Sequence, residues 1–341
     1  MVRCWRSLLE SPKKTSVLSV VFASSLFLSS LRLVSGLAVA PSMTKKIIDS
    51  HLHVWADEQE AASAFPYSQG QDPPPHLRDR ASIAVLLESM QTSGVDGALI
   101  VQPINHKFDH SYVLSALQQH PGVFKGMLLH DPSESDPIQA VVSLEKLALQ
   151  GFCGVRFNPY LWPKDDAGGT SSMCTPAGLA VYRRCGELRM PVGIMCFQGL
   201  DLHYQDILQL LETSPTTPMI LDHFAFTKLS EGDGESKTFQ QLLSLAQYPS
   251  VHVKISALFR LDDEDTETYR GVYNERFRPL LTAYGPDRLL YGSDFPFCLE
   301  QPAGYTMHKI VAEWCRKHDK NTEAAIMGGT AERLWGPWGA Q

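Results

Sequence analysis

The sequence predicts an α/β protein folded as one (β/α)8 TIM-type barrel, and three observations predict it. Eight short segments are near-continuous apolar runs, the pattern of parallel strands covered on both faces. Helix-like segments separate them, and repeated strand–helix alternation requires a parallel sheet. Eight such units within 341 residues favour a closed barrel over an open doubly wound sheet.

The strands are expected at Lys46–Val54, Gly97–Pro103, Phe124–His130, Phe152–Asn158, Pro191–Cys196, Pro218–Phe224, Val251–Leu258 and Leu289–Asp294. Helical periodicity falls between them, at Ile83–Thr92, Tyr112–Gln119, Ile138–Leu149, Leu179–Leu188, Gln205–Glu212 and Phe239–Ala246. No G-x-G-x-x-G turn follows the first strand, which argues against a dinucleotide-binding sheet. Two segments break the rhythm. Ala56–Ala81 holds Phe65-Pro66-Tyr67 and Pro73-Pro74-Pro75 and leaves the first strand on the expected catalytic face. Trp162–Ser172, after the fourth strand, is rich in Gly, Asp and Ser. Each reads as a lid or as a plain surface connection.

Composition narrows the class. Hydrophobic residues make up 44% of the chain, enough for a large core, and the formal charge of −7 with no basic stripe points away from nucleic acid. The seven cysteines include no C-x-x-C pair, which argues against a zinc ribbon, a redox motif or a dense disulfide framework. They read as reduced core residues, with Cys196 open to a second reading as a soft metal ligand.

The N-terminus differs from the rest. Arg3, Arg6, Lys13 and Lys14 precede an apolar run from Val17 to Leu31, followed by small residues. That order predicts a targeting leader over residues 1–43, with one barrel domain over 44–341. The run is too short, with Arg32 too close, for a permanent membrane span. Gly36-Leu37-Ala38-Val39-Ala40-Pro41 is similar to the cleavage motif of two-part plastid leaders, with Leu37 where an aromatic usually stands. The expected destination is therefore a plastid or the secretory pathway, or the cytosol if translation starts at Met43.

Polar groups at the C-terminal ends of barrel strands carry the chemistry, because active sites form there. The first strand reads Asp49-Ser50-His51-Leu52-His53, and alternation puts Asp49, His51 and His53 on one face. Two imidazoles on an inward face suit a metal or a polarised carbonyl. Asp294 ends the apolar run of the last strand, where a bare carboxylate would be costly, so it is a candidate general base or metal ligand. His223 adds a third imidazole at the end of strand six. Strand four ends in Arg156-Phe157-Asn158, whose fixed positive charge suits a substrate carboxylate or a structural acid. Lys254, inside the seventh run, needs an anionic partner, Asp294 or Asp222.

Five motifs in order then carry a resemblance: Asp-Ser-His-Leu-His at 49–53, Gly-Val-Arg-Phe-Asn at 154–158, Leu-Asp-His at 221–223, Val-Lys-Ile-Ser at 253–256 and Tyr-Gly-Ser-Asp-Phe-Pro at 291–296. Together they resemble the amidohydrolase-related family of the metallo-dependent hydrolases, in the branch of 2-pyrone-4,6-dicarboxylate lactonase, L-fuconolactonase and 4-sulfomuconolactone hydrolase. The resemblance spans Lys46 to Trp335 and implies an active site of His51, His53, His223 and Asp294. Members with two metals carry a carboxylated lysine or a glutamate on strand four and a histidine at the end of strand five. Arg156 and Asn158 stand at the first place, and Gly193-Ile194-Met195-Cys196-Phe197-Gln198 fills the second. The resemblance therefore implies one zinc at most, on His51, His53 and Asp294, or catalysis without metal.

The expected reaction is hydrolysis of a small lactone bearing a carboxylate. Asp294 would activate water, the histidines would stabilise the oxyanion directly or through zinc, and Arg156, Lys254 and Asn158 would bind substrate. The rivals are zinc-dependent non-oxidative decarboxylation, amide hydrolysis and a non-catalytic ligand-binding barrel.

Overall fold

The computed structural model describes residues 46–164, 172–231 and 236–339. The leader expected over 1–43 and residues 165–171 of the second irregular loop lie outside them. Eight strands form one sheet in chain order: β1 (Ile48–Leu52), β2 (Gly97–Val101), β3 (Phe124–Leu129), β4 (Phe152–Phe157), β5 (Val192–Ile194), β6 (Met219–Leu221), β7 (Val251–Ser256) and β8 (Leu289–Gly292). Every neighbouring pair is parallel. Just beyond β8 the chain returns to β1. The Asp294 N–H donates to the His51 carbonyl at 2.9 Å, and the His53 N–H donates to the Phe295 carbonyl at 2.7 Å. The (β/α)8 barrel expected from the sequence is thus present and nearly closed.

Each strand lies inside its expected run. The difference is at the C-terminal ends, where His53, Asn158, His223 and Asp294 leave the ladder. The six expected helices occur as Ile83–Ser93, Ser111–Gln119, Pro137–Leu149, Pro176–Leu188, Tyr204–Thr213 and Lys237–Ser244. Ser82, Asp136, Thr175 and Ser236 cap four of them, each side chain accepting from a first-turn N–H that has no partner within the helix. Pro137 and Pro176 then open their helices, where a missing N–H costs nothing. Among the described residues, no helix is long and apolar enough to cross a membrane.

Apolar burial forms two clusters. The larger joins the outer faces of the strands to the helices. The smaller joins Ile48, Leu99, Met127, Ile220 and Leu290, from five strands, to Trp335 and Trp338 of the C-terminal tail. Trp338 lies against the start of β2. Its indole N–H donates to the Ala98 carbonyl at 3.3 Å, and a Cβ added at Gly97 would come within 2.2 Å of its ring. Lys125 holds its ammonium 4.8 Å from that ring while donating to the Trp335 carbonyl, and Lys46 donates to the Trp338 carbonyl. The tail therefore seals the N-terminal end of the barrel, and the C-terminal end is left for chemistry.

Candidate active site

His51 and His53 stand at the end of β1 with their rings edge to face, 5.1 Å apart. Beneath them Asp49 accepts the backbone N–H of Ser293 at 2.9 Å, bracing β1 against β8. Burial pushes that carboxyl up to about 6. Asp294 follows β8 in the left-handed conformation, with φ of 60°, which is uncommon for a non-glycine residue and typical of functional turns. His223 begins a second such turn after β6, where His223, Phe224, Ala225 and Phe226 all have φ between 51° and 56°.

These turns bring three imidazoles onto one carboxylate oxygen. Asp294 Oδ1 lies 4.0 Å from His51 Nε2, 3.7 Å from His53 Nε2 and 3.8 Å from His223 Nε2. Its other oxygen accepts a hydrogen bond from Arg260 Nε at 2.9 Å. Burial raises the Asp294 carboxyl above its ordinary range, against the opposing pull of Arg260. Burial disfavours the charged form of all three imidazoles. Burial, followed by the Lys254 charge, holds His51 well below the usual range; burial and Arg156 bring His53 down to about 3; burial and His51 depress His223.

Behind this face lies a buried charge network. Asp222 Oδ1 is 3.1 Å from His51 Nδ1 and 3.2 Å from Lys254 Nζ, and Asp222 Oδ2 is 3.4 Å from an Arg156 terminal nitrogen. Burial alone would raise the Asp222 carboxyl; Lys254 and Arg156 outweigh it and hold it below its ordinary value. Lys254, with no exposed surface, is also 2.9 Å from His51 Nδ1. His53 Nδ1 donates to the Val101 carbonyl at 2.8 Å, so its Nε2 carries a lone pair. His223 Nδ1 meets the Ser256 hydroxyl at 2.8 Å.

The donor set fits one divalent metal ion. His51 Nε2 is buried without a hydrogen-bond partner. His53 Nε2 is fixed as a lone pair that an Arg156 nitrogen approaches only at a long 3.5 Å, Arg260 occupies only one Asp294 oxygen, and one ligand atom each from His51, His53 and Asp294 lies within 4.8 Å of the others. Two imidazoles and a carboxylate with a position left open is a catalytic zinc arrangement, and Asp222 against His51 Nδ1 is the outer carboxylate that such histidines usually carry.

A cavity of about 470 Å³ opens over this face, lined by His53, Arg156, Asn158, His223, Arg260 and Asp294 among others. Its charged lining residues are Arg156, Arg260 and Asp294, two cations against one carboxylate. Of the residues singled out in the sequence, His53, His223, Asp294, Arg156 and Asn158 line this cavity, and His51 lies beneath them, 4.0 Å from Asp294. Asn158 also accepts the Tyr160 N–H at 3.2 Å. Lys254 is different. It was expected to touch substrate, but it does not line the cavity and serves Asp222 and His51 from beneath. Of the two partners anticipated for it, Asp222 is the one it meets. Arg156 pairs with Asp222, as its structural reading expects, and also lines the cavity. Cys196 is fully buried and outside the lining, with its thiol pushed up by burial.

The first irregular loop has an ordered role. It contains a short helix, Glu58–Ser63, and Ser68 N–H and Gln71 carbonyl bond Asn105 at 2.8 Å each. Asn105 lines the cavity, whereas residues 57–81 do not. The segment is a buttress in this conformation, with no lid contact to the cavity. Arg260, which lines the cavity and bonds Asp294, is the candidate site residue that sequence reading missed. Its only signal was its place four residues after the end of β7, within reach of the rim.

Comparison with known proteins adds an independent line. The amidohydrolase family model matches residues 48–336. The 4-sulfomuconolactone hydrolase of Hydrogenophaga intermedia is 26% identical over 254 residues, covering 73% of this chain and 74% of that protein. A structure of a probable 2-pyrone-4,6-dicarboxylic acid hydrolase from Acinetobacter baumannii, with citric acid bound, superposes with a TM-score of 0.68 at 21% identity, over 85% of this chain and 99% of that one. A zinc-bound amidohydrolase structure from Burkholderia multivorans gives 0.62 at 21% identity, over 85% and 99%. A family match across nearly the whole barrel, on a rim of three histidines and one aspartate, makes this chain a member of the amidohydrolase family, of the metallo-dependent hydrolase superfamily, and a hydrolase.

Proposed function

We propose that this hydrolase opens a small lactone bearing a carboxylate, using water activated by Asp294. The observation that carries the reading is the convergence of three imidazole Nε2 atoms, at 3.7 to 4.0 Å, on the Asp294 oxygen left free by Arg260. The activities of two relatives, the 4-sulfomuconolactone hydrolase and, over 34% of this chain, an L-fucono-1,5-lactonase from Burkholderia multivorans, support a lactone over an amide.

Arg260 fixes one Asp294 oxygen and so aims the other at a water molecule beside the histidines. A carboxyl raised by burial is a stronger base than a solvated one, and it removes the water proton as the oxygen attacks the lactone carbonyl. The ring C–O bond then breaks, and the same proton returns to the departing alkoxide. His223 can donate from Nε2 to the developing oxyanion when the Ser256 hydroxyl donates to Nδ1. His53 cannot do so while neutral, because its proton is committed to the Val101 carbonyl. That lone pair, together with the unpartnered His51 Nε2, is why we assign His51, His53 and Asp294 as ligands of a single zinc ion, and the zinc-bound neighbour supports that assignment. When bound, the ion would supply Lewis-acid polarisation at this position. Arg156 receives the substrate carboxylate, for which the two-to-one excess of cations in the cavity is suited.

The test is hydrolysis of a panel of carboxylated lactones by wild type and Asp294→Asn. The variant is expected to lose on the order of 10²–10⁴ in rate, the usual worth of a positioned base, with binding of the ring-opened acid retained. Release of carbon dioxide from acids without lactone turnover, or an unchanged rate in the variant, would overturn the assignment.

A further inference from the structure

The cavity is larger and more aromatic than a bare carboxylated ring requires. At about 470 Å³ it falls in the range of roughly 300–1,000 Å³ that encloses ligands of drug-like size. Its charged groups are Asp294, Arg156 and Arg260, and Gln102, Asn105, Asn158, Tyr160 and Gln198 add polar surface. Aromatic rings lie beside the histidines. Phe226 sits edge-on to the His223 ring at 5.1 Å, and Phe197 sits edge-on to Phe226 at 5.5 Å. On the other side Phe297 lies 6.3 Å from His53, with the Arg260 guanidinium 5.0 Å from its ring. A groove of about 770 Å³ shares Phe197, Gln198, Phe226, Arg260 and Phe297 with the cavity and continues past Phe259 to the charged Lys228, Asp262 and Glu300.

Phe197 is the telling residue. It follows β5 at the rim and is 54% exposed, while Phe226 beside it is 5% exposed. Aromatic surface left in water at the mouth of a cavity gains free energy when an apolar group covers it. The arrangement puts the Arg156 cation and the exposed Phe197 ring within one site, and a ligand with a carboxylate and an apolar group matches both.

We propose that the substrate carries an apolar substituent of about phenyl size on its lactone ring, and that Phe197 and Phe226 seat it while the carboxylate is held at Arg156. The proposal rests on the lactonase reading for its chemistry but concerns binding. Ring edges meeting ring faces at about 5 Å favour an aryl group over an alkyl one, because aromatic pairs gain energy beyond area burial. A hydroxylated substituent set against Phe197 and Phe226 would lose water to phenyl rings that cannot hydrogen-bond it in return.

Equilibrium binding separates the two claims, because it is read whether or not turnover occurs. Calorimetry on the full chain would compare three ring-opened hydroxy acids that differ only in a phenyl, a hydrogen or a hydroxymethyl substituent. The phenyl acid is expected to bind at least about tenfold more tightly than either other, and Phe197→Ala to shrink that preference about tenfold. Phe197→Leu, keeping an apolar side chain, should lie between. Ile138→Ala, on the outer face of the helix Pro137–Leu149, serves as the control and should keep the full preference. Equal binding of the three acids, or a preference untouched by Phe197→Ala, would overturn the proposal. Tight phenyl-selective binding with no hydrolysis of the corresponding lactone would instead sink the lactonase reading and leave this one standing.

Discussion

At Arg260 and Lys254 the same kind of charge does two different jobs. Arg260 Nε holds Asp294 from the rim, and its side chain is 28% exposed, so losing it disturbs aim more than folding. Arg260→Gln is expected to lower kcat by about tenfold or more, the equivalent of one charge-assisted hydrogen bond, with a smaller change in KM. Steady-state kinetics on any turned-over lactone would check it, and equal changes in both constants would contradict the positioning role. Lys254 has no exposed surface and neutralises Asp222 from beneath. Lys254→Met leaves a buried carboxylate with Arg156 as its remaining cation, and removing one member of a buried pair costs about 3–5 kcal/mol. Urea denaturation should show that loss, and a variant as stable as wild type would mean that Arg156 suffices. His51, His53 and Asp294 were legible in the sequence because each interrupts an apolar run at the end of a strand. Arg260 was not, because its reach depends on the 3-10 turn Leu258–Arg260 that follows Ala257 in left-handed conformation, and nothing local in the sequence marks that turn.

Among the elements, legibility followed periodicity. The helix Pro137–Leu149 has Asp136 accepting the Ile138 N–H at 2.8 Å, with Pro137 next, and both signals stand in the sequence. Asp136→Ala is expected to cost about 1 kcal/mol, seen as a lower urea midpoint with activity unchanged. The connections after β7 and β8 were not resolved by pattern. They contain the π-helical turns Tyr273–Phe277 and Ala325–Gly329, inside helical stretches bounded by Arg270 and Tyr284 and by Lys320 and Trp335. An extra residue per turn rotates the apolar face, so a search at 3.6 residues loses the stripe. Strand ends blurred for a related reason. At His53, Asn158, His223 and Asp294 the chain is still buried but has left the ladder, and burial is what an apolar run reports.

For the molecule as a whole, buried neutral histidines set an acid limit on stability. Burial lowers His110 and His130 to about 4, while an unfolded chain protonates near 6.5. Between those values the unfolded state binds more protons, so stability is full above about pH 6.5 and is lost as pH falls toward 4. Each histidine contributes up to roughly 3 kcal/mol to that loss. Denaturation midpoints should therefore drop from pH 7 to pH 5, and His130→Phe should make the drop shallower; a midpoint independent of pH would refute this. The two ends of the barrel also differ in what they tolerate. Trp338 stoppers one end from inside, with Gly339 N–H bonded to the Gly122 carbonyl at 2.9 Å, and the mouth with Phe197 lies at the other. A tether or fusion partner joined beyond Gly339 would hang from the stopper and leave the entrance unobstructed on an immobilised enzyme. A deletion that removed Trp338 would uncork the barrel from below.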